Sequence, residues 1–236
     1  MDNLDDLMDI LDSTEEPTQT TTTTEEHPKQ QESPKKAKVN LWEDHIQPLP
    51  VDKDSLLRFN RMFSIAAHGE VPGEVILLIE QLSKLLISKG FTFRYDGNSM
   101  DKASTQAYSA AKSRCEIYLP WKGFNKELTA KLNKPTEKAY GYASTFHRAF
   151  NKIPPTVRAI VARNVHVLMG DEANTPLNLF ITYTSDGAET KADIKYETTG
   201  NMSFFINACE DLGIPVFNLK NATAKERIVE FLNTLK

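Results

Sequence analysis

The sequence predicts an α/β fold: a three-layer sandwich around a mainly parallel sheet, preceded by a disordered acidic tail. Three observations carry that reading. From residue 40 onward, short apolar runs of strand length alternate with longer segments of helical periodicity. Gly and Pro punctuate the joints between them. The first 39 residues differ in composition from everything that follows. With 236 residues, 40% hydrophobic and 25% charged, the chain has the material for one core of ordinary size plus a tail.

Residues 1–39 form the predicted tail, and 40–236 the folded domain. The tail holds ten acidic residues against four lysines, a net charge of −6, which leaves +2 for the remainder of a chain whose total is −4. It contains Thr20 to Thr24 in a row, several Pro and Gln, and no aromatic residue. Such a segment buries too little apolar surface to offset its ordering entropy. Within it, Leu4, Leu7, Met8 and Leu11 fall at i, i+3, i+4 and i+7, one stripe of a helix otherwise rich in Asp. That stripe is the candidate contact for a partner with a basic, apolar groove. The bland reading is an acidic solubilising tail with incidental leucines.

The domain begins with an apolar run at 62–67 that ends in His68-Gly69, a strand into a turn. Residues 72–89 place Val75, Leu78, Ile79, Leu82, Leu85 and Leu86 at helical spacing, with Pro72 near the start and Gly90 past the end. A strand is expected at 91–95, a turn at 96–99, and a helix to about 113 capped by Ser99 or Asp101. Residues 115–119 read as a strand closed by Pro120. Three helices follow at 125–132, 136–151 and 155–168, the last two separated by Pro154-Pro155. Residues 177–184 are the clearest strand and run into Ser185-Asp186-Gly187. A helix at 203–212 closed by Gly213, a strand at 214–218 and a helix at 223–235 complete the pattern. Strands separated by helices imply βαβ units, and hence a Rossmann-like arrangement.

Composition excludes several classes. A net charge of −4 is not that of a generic polyanion binder. No apolar run approaches the 18 or more residues of a membrane helix, since 74–87 is interrupted by Glu80, Gln81 and Lys84. The acidic N-terminus resembles neither a secretory nor a transit peptide, so a cytoplasmic protein is expected. Cys115 and Cys209 lie in or beside apolar segments, as buried reduced thiols do. The histidines and cysteines show no ligand spacing, so neither a metal nor a cofactor is expected.

In open parallel sheets, ligands sit beyond the carboxyl ends of the strands. Four loops qualify on that ground. They carry His68 and Gly69; Asp96, Gly97, Asn98, Ser99 and Asp101; Thr184, Asp186 and Gly187; and Thr199, Gly200 and Asn201. Their Gly, Ser, Thr, Asn and Asp suit backbone and hydroxyl contacts to a phosphate or a ribose, although the same residues fill any surface turn. His68 is a general acid/base candidate or an ordinary turn residue. His147 and His166, in helical segments, read as structural. Trp121 is open between stacking on a base and packing. Lys122, Lys126, Lys131, Lys134 and Lys138 give the middle of the chain a basic bias, by default a solvated face.

The run Ile117-Tyr118-Leu119-Pro120-Trp121-Lys122-Gly123-Phe124-Asn125 resembles the IYLPWxGFN signature of phage-borne proteins in the SLOG superfamily. That superfamily includes DNA-processing protein A and the LOG nucleotide hydrolases. Further matches follow in order. Phe63-Ser64 through Glu70 and Pro72 resembles the YSGIGSRxTP opening, and Gly90 to Arg94 resembles GxxLRSGGAxGAD. Arg163-Asn164-Val165 with Leu168 and Gly170 resembles RNVxxVLG. Thr182 to Gly187 resembles xWTxDG, Thr199-Gly200 resembles TGGTxxA, and Gly213 to Leu219 matches its own counterpart. The resemblance covers about residues 60–232.

It implies a Rossmann-like fold with a pocket for a nucleotide or nucleotide derivative, its phosphates held by glycine-rich loops. Three loops depart from the pattern: Ile65-Ala66-Ala67-His68-Gly69, Tyr95-Asp96-Gly97-Asn98, and Thr199-Gly200-Asn201-Met202-Ser203. Each replaces glycines whose missing Cβ lets a backbone approach phosphate. The LOG-type PGGxGTxxE motif is absent. The ancestral nucleotide site is therefore expected to be altered or lost, and the resemblance favours a phage-encoded protein that binds a nucleotide or nucleotide derivative, in the host cytoplasm, acting by binding rather than catalysis. Two alternatives follow from relatives: nucleotide N-glycosidic hydrolysis with Asp101 or Asp186 as acid/base, and single-stranded DNA binding in recombination. The near-neutral domain weakens the second, because such affinity rests on Lys and Arg contacts to phosphate. A host protein on the acidic tail and a second copy of the chain, as a homodimer, are the remaining candidate partners.

Overall fold

The computed structural model describes residues 46–54, 56, 61–126 and 129–235. The tail, with the predicted Leu4, Leu7, Met8 and Leu11 stripe, lies outside them. Five strands form one parallel sheet: β1 (Met62–Ala67), β2 (Thr92–Tyr95), β3 (Cys115–Ile117), β4 (Leu179–Tyr183) and β5 (Val216–Asn218). Their order is β3-β2-β1-β4-β5. The chain builds outward from β1 through β2 to β3, then returns to lay β4 on the other side of β1. The strand order therefore reverses between β1 and β4, where open parallel sheets place ligands.

Among the described residues the α-helices are α1 (Gly73–Ser88), α2 (Lys102–Ala111), α3 (Glu137–Phe146), α4 (Pro155–Met169), α5 (Tyr196–Thr199), α6 (Met202–Leu212) and α7 (Ala224–Thr234). Alternation along the strands sends side chains to opposite faces. Phe63, Ile65, Phe93, Leu179 and Ile181 pack with the apolar stripes of α1, α2 and α7. Met62, Ala66 and Phe180 pack with α3, α4 and α6. The result is the three-layer α/β sandwich expected. The second face is also polar: Ser64 Oγ donates to Arg94 O at 2.7 Å and Thr182 Oγ1 to Ala66 O at 2.8 Å, each satisfying a neighbouring strand.

Arg94 is 2% exposed and locks that face. Its Nε donates to Glu116 at 3.1 Å and its Nη1 to Thr175 O at 2.7 Å. Glu116 also accepts from Tyr118 Oη and Lys131 Nζ. Gly170 must lie against this guanidinium, because a Cβ there would stand 2.9 Å from Nη2. His166, also buried, joins α4 to the start of α3: Nε2 accepts Thr136 N–H at 3.1 Å, and Nδ1 donates to Gly170 O at 2.8 Å.

Two expected helices differ. The described residues of 125–132 form no α-helix. A single 3-10 turn spans Phe124–Lys126, with Asn125 and Lys126 at φ +50° and +62°. The chain then pairs beside β3, Lys131 N–H donating to Ile117 O and Leu119 N–H to Leu132 O, both at 2.8 Å. Edge pairing won over a weak apolar periodicity. The helix expected at 136–151 ends at Phe146, where His147 turns extended, and a separate 3-10 turn covers Phe150–Lys152. Asp101, not Ser99, caps α2.

Candidate ligand-binding site

A cleft of about 480 Å3 opens at the carboxyl ends of β1 and β2. The β1–α1 loop contributes His68, Gly69, Glu70 and Val71; the β2–α2 loop contributes Asn98, Met100, Asp101 and Lys102; and Asn201 enters from the α5–α6 corner. Five of the sequence-predicted residues thus share one cavity: His68, Gly69, Asn98, Asp101 and Asn201. Glu70, Val71, Met100 and Lys102 were not among the candidates. Each is a near neighbour of one that was, so widening the loops by a residue or two would have reached them.

Asp101 is the organising group. One carboxylate oxygen accepts from Ala103 N–H at 2.9 Å and Ser104 N–H at 3.2 Å, the first turn of α2. The other accepts from Ala67 N–H at 2.8 Å, at the end of β1. The carboxylate therefore occupies the amides that a phosphate would use at this helix N-terminus. Burial outweighs these hydrogen bonds and pushes its pKa up to about 6.

His68 follows β1 directly, its N–H donating to Tyr183 O at 3.0 Å. Its ring lies over Gly200, where a Cβ would sit 2.3 Å away. Gly200 has φ +55°, so both its backbone and its missing side chain are used. Gly69, at φ +85°, has open space where a Cβ would project.

The remaining predicted residues point elsewhere. Asp96 turns inward, one oxygen accepting Asn98 N–H at 2.9 Å and the other 3.4 Å from Nη2 of Arg163, which is 3% exposed. Burial pulls that guanidinium below its ordinary pKa. Gly97 packs on Leu119, and Ser99 is exposed on the turn. Asp186 accepts from the hydroxyls of Thr184, Thr198 and Thr199 at 2.6, 2.8 and 2.5 Å and from Ala188 N–H at 3.3 Å. It opposes its own desolvation with those four donors, which hold it well below the usual carboxylate range. Gly187 packs on the Asn221 side chain, which donates to its carbonyl at 3.1 Å. Asn218, absent from the candidates, completes this corner by donating to Thr184 Oγ1 at 2.7 Å and Ala188 O at 3.0 Å.

Trp121 packs edge-on against Phe124, ring centroids 5.0 Å apart. Among the lysines of the basic stretch, Lys131 pairs with Glu116 and Asp171, and Lys138 donates to Glu172 O. Lys122 and Lys126 are exposed.

The cleft thus combines two cation-capable groups, His68 and Lys102, with carboxylates at Glu70 and Asp101 and amides at Asn98 and Asn201. This set can hold hydroxyls and base edges on the carboxylates and amides, and one anionic group on the cations. No group of three or more His, Cys, Asp or Glu among the described residues could hold a metal ion. No helix among them is long and apolar enough to cross a membrane. No family model, curated protein or solved structure matches this chain.

Proposed function

We propose that the protein binds a nucleotide or nucleotide derivative in this cleft and acts by binding. The supporting observation is the convergence of three loops beyond the carboxyl ends of β1 and β2, beside the strand-order reversal, with His68, Asn98, Asp101 and Asn201 around one cavity. The resemblance to phage-borne SLOG proteins points to the same ligand class. The carboxylate of Asp101 on the α2 amides shifts the expected pose. The phosphate then meets Lys102 and His68, and ribose hydroxyls meet Glu70 and the two asparagines. Thermal unfolding with nucleotides, ADP-ribose and cyclic nucleotides tests this. A ligand at 100 times its Kd stabilises by about 2.7 kcal/mol, several degrees for a domain of this size. Asn98→Ala and Asn201→Ala should each reduce the shift; unchanged shifts in both, or no shift with any compound, would sink the reading.

One observation favours the hydrolase alternative: Asp101 lines the cleft with a pKa of about 6, suited to proton transfer near neutrality. Release of free base from nucleoside monophosphates that disappears in Asp101→Asn would support it. Release that persists in that variant would refute it. Asp186 offers no comparable route, since its four donors keep it ionised and engaged.

A further inference from the structure

A second cleft, of about 500 Å3, lies between the end of α3 and the α5–α6 segment. Its chemistry differs from that of the first. Arg148 and Lys152 stand on its lip, and no carboxylate is among its lining residues. Neither cation has an ion pair among the described residues. The first turn of α6 supplies Ser203 and Phe204, and Asn201 gives this helix no side-chain cap. The positive end of a helix dipole therefore adds to the two cations.

The apolar part of the cleft is aromatic. Phe146 and Phe204 meet edge to face with centroids 6.3 Å apart, and both are buried. Tyr196 stands beside them with 67% of its surface exposed, a large aromatic ring left in water. His147 packs against Phe150, yet its Nδ1 is buried without a hydrogen-bond partner. That nitrogen has no accessible surface, so it contributes nothing to the polar lining of the cleft. Ser203 and Asn207 are four residues apart on one face of α6 and add hydrogen-bonding capacity.

We propose that this cleft is a second binding site, for a small phosphorylated compound carrying a planar ring. The phosphate sits against Arg148, Lys152 and the first turn of α6, and the ring lies on Tyr196 over the Phe146–Phe204 floor. Two cations without an ion pair among the described residues, in a lining that holds no carboxylate, select the anion. The exposed ring selects a planar partner. The proposal does not depend on what the first cleft binds.

Residue-resolved amide spectra of the full chain, titrated with AMP, test the two clefts separately. Binding here shifts the amides of Arg148, Tyr196, Ser203 and Asn207. The Arg148→Ala/Lys152→Ala variant should bind at this site about tenfold more weakly or worse. Inorganic phosphate alone should also be weaker than AMP by about tenfold, because it forgoes the ring contact. Arg148, Lys152 and Tyr196 are exposed, so the variants should keep the wild-type spectrum away from the cleft. Shifts confined to the first cleft, or a double variant as tight as the wild type, would overturn the site. Equal affinity for phosphate and AMP would overturn the assignment of a ring-bearing ligand.

Discussion

Asp101 ties the end of β1 to the first turn of α2 with one side chain, and its removal should show what that is worth. Asp101→Ala loses the cap on α2 and leaves the Ala67 N–H without its acceptor. A lost cap costs about 1 kcal/mol and an unsatisfied buried donor about 1–3 kcal/mol, so denaturant unfolding should show a loss of about 2–4 kcal/mol. The pH dependence separates this group from His166. The Asp101 pKa rises from 3.8 to about 6 on folding, so its contribution is full below pH 3.8 and lost as pH rises through about 6. Burial lowers the His166 pKa below 6.5, so its contribution is present above 6.5 and lost as pH falls. The two slopes oppose each other between about pH 4 and 6.5. Asp101→Asn removes one of them, and its stability should fall more steeply with acid across that window than the wild type's. Parallel curves would show that Asp101 does not titrate there. Gly200→Ala offers a third test at this scale, since the added methyl meets the His68 ring. It should cost at least about 1 kcal/mol from the left-handed backbone alone and displace His68 from the cleft, visible in that residue's NMR signals.

The elements divide by how local their determinants are. The limits of α1, α4 and α6 were readable because Pro72, Pro155 and Gly213 sit at their ends and act within one turn. The segment after β3 was misread because its conformation depends on a pairing made across the sheet edge. Leu132 lies beside Tyr118, and the turn before it holds Asn125 and Lys126 in the left-handed region. No periodicity reports such a pairing. Lysine tolerates that backbone poorly, so Lys126→Gly should raise stability by about 1 kcal/mol in a denaturant titration. A loss instead would mean that the Lys126 side chain supports the turn. The candidate loops were legible for a similar reason to the helix ends, since they follow strand ends. Which of their residues face the cleft was not, because Asp96 and Asp186 are drawn inward by Arg163 and by three threonines distant in sequence or hidden by a turn.

At the scale of the molecule, the sheet couples the two cores. Alternate residues of β1 and β4 belong to opposite faces, so neither helical layer can leave without exposing strands that the other still covers. This alternation was legible as a fold class, whereas the Arg94 network that stiffens one face was not. Its partners lie 22 to 81 residues away. A shared sheet predicts one cooperative transition. The chain supplies a reporter for each side. Cys209 is fully buried in the α3–α4–α6 layer, where burial pushes its thiol pKa up and slows labelling, while Trp121 packs on that same side. Cys115 belongs to the opposite core and is partly buried. In a Trp42→Phe background, where Trp121 is the sole tryptophan, fluorescence and far-UV circular dichroism should give the same denaturant midpoint. Cys209 labelling in a Cys115→Ser variant should become fast at that midpoint and not before. Labelling of Cys209 at lower denaturant, with the dichroism unchanged, would show the α3–α4–α6 layer opening alone. The two cores would then be separate units despite the sheet they share.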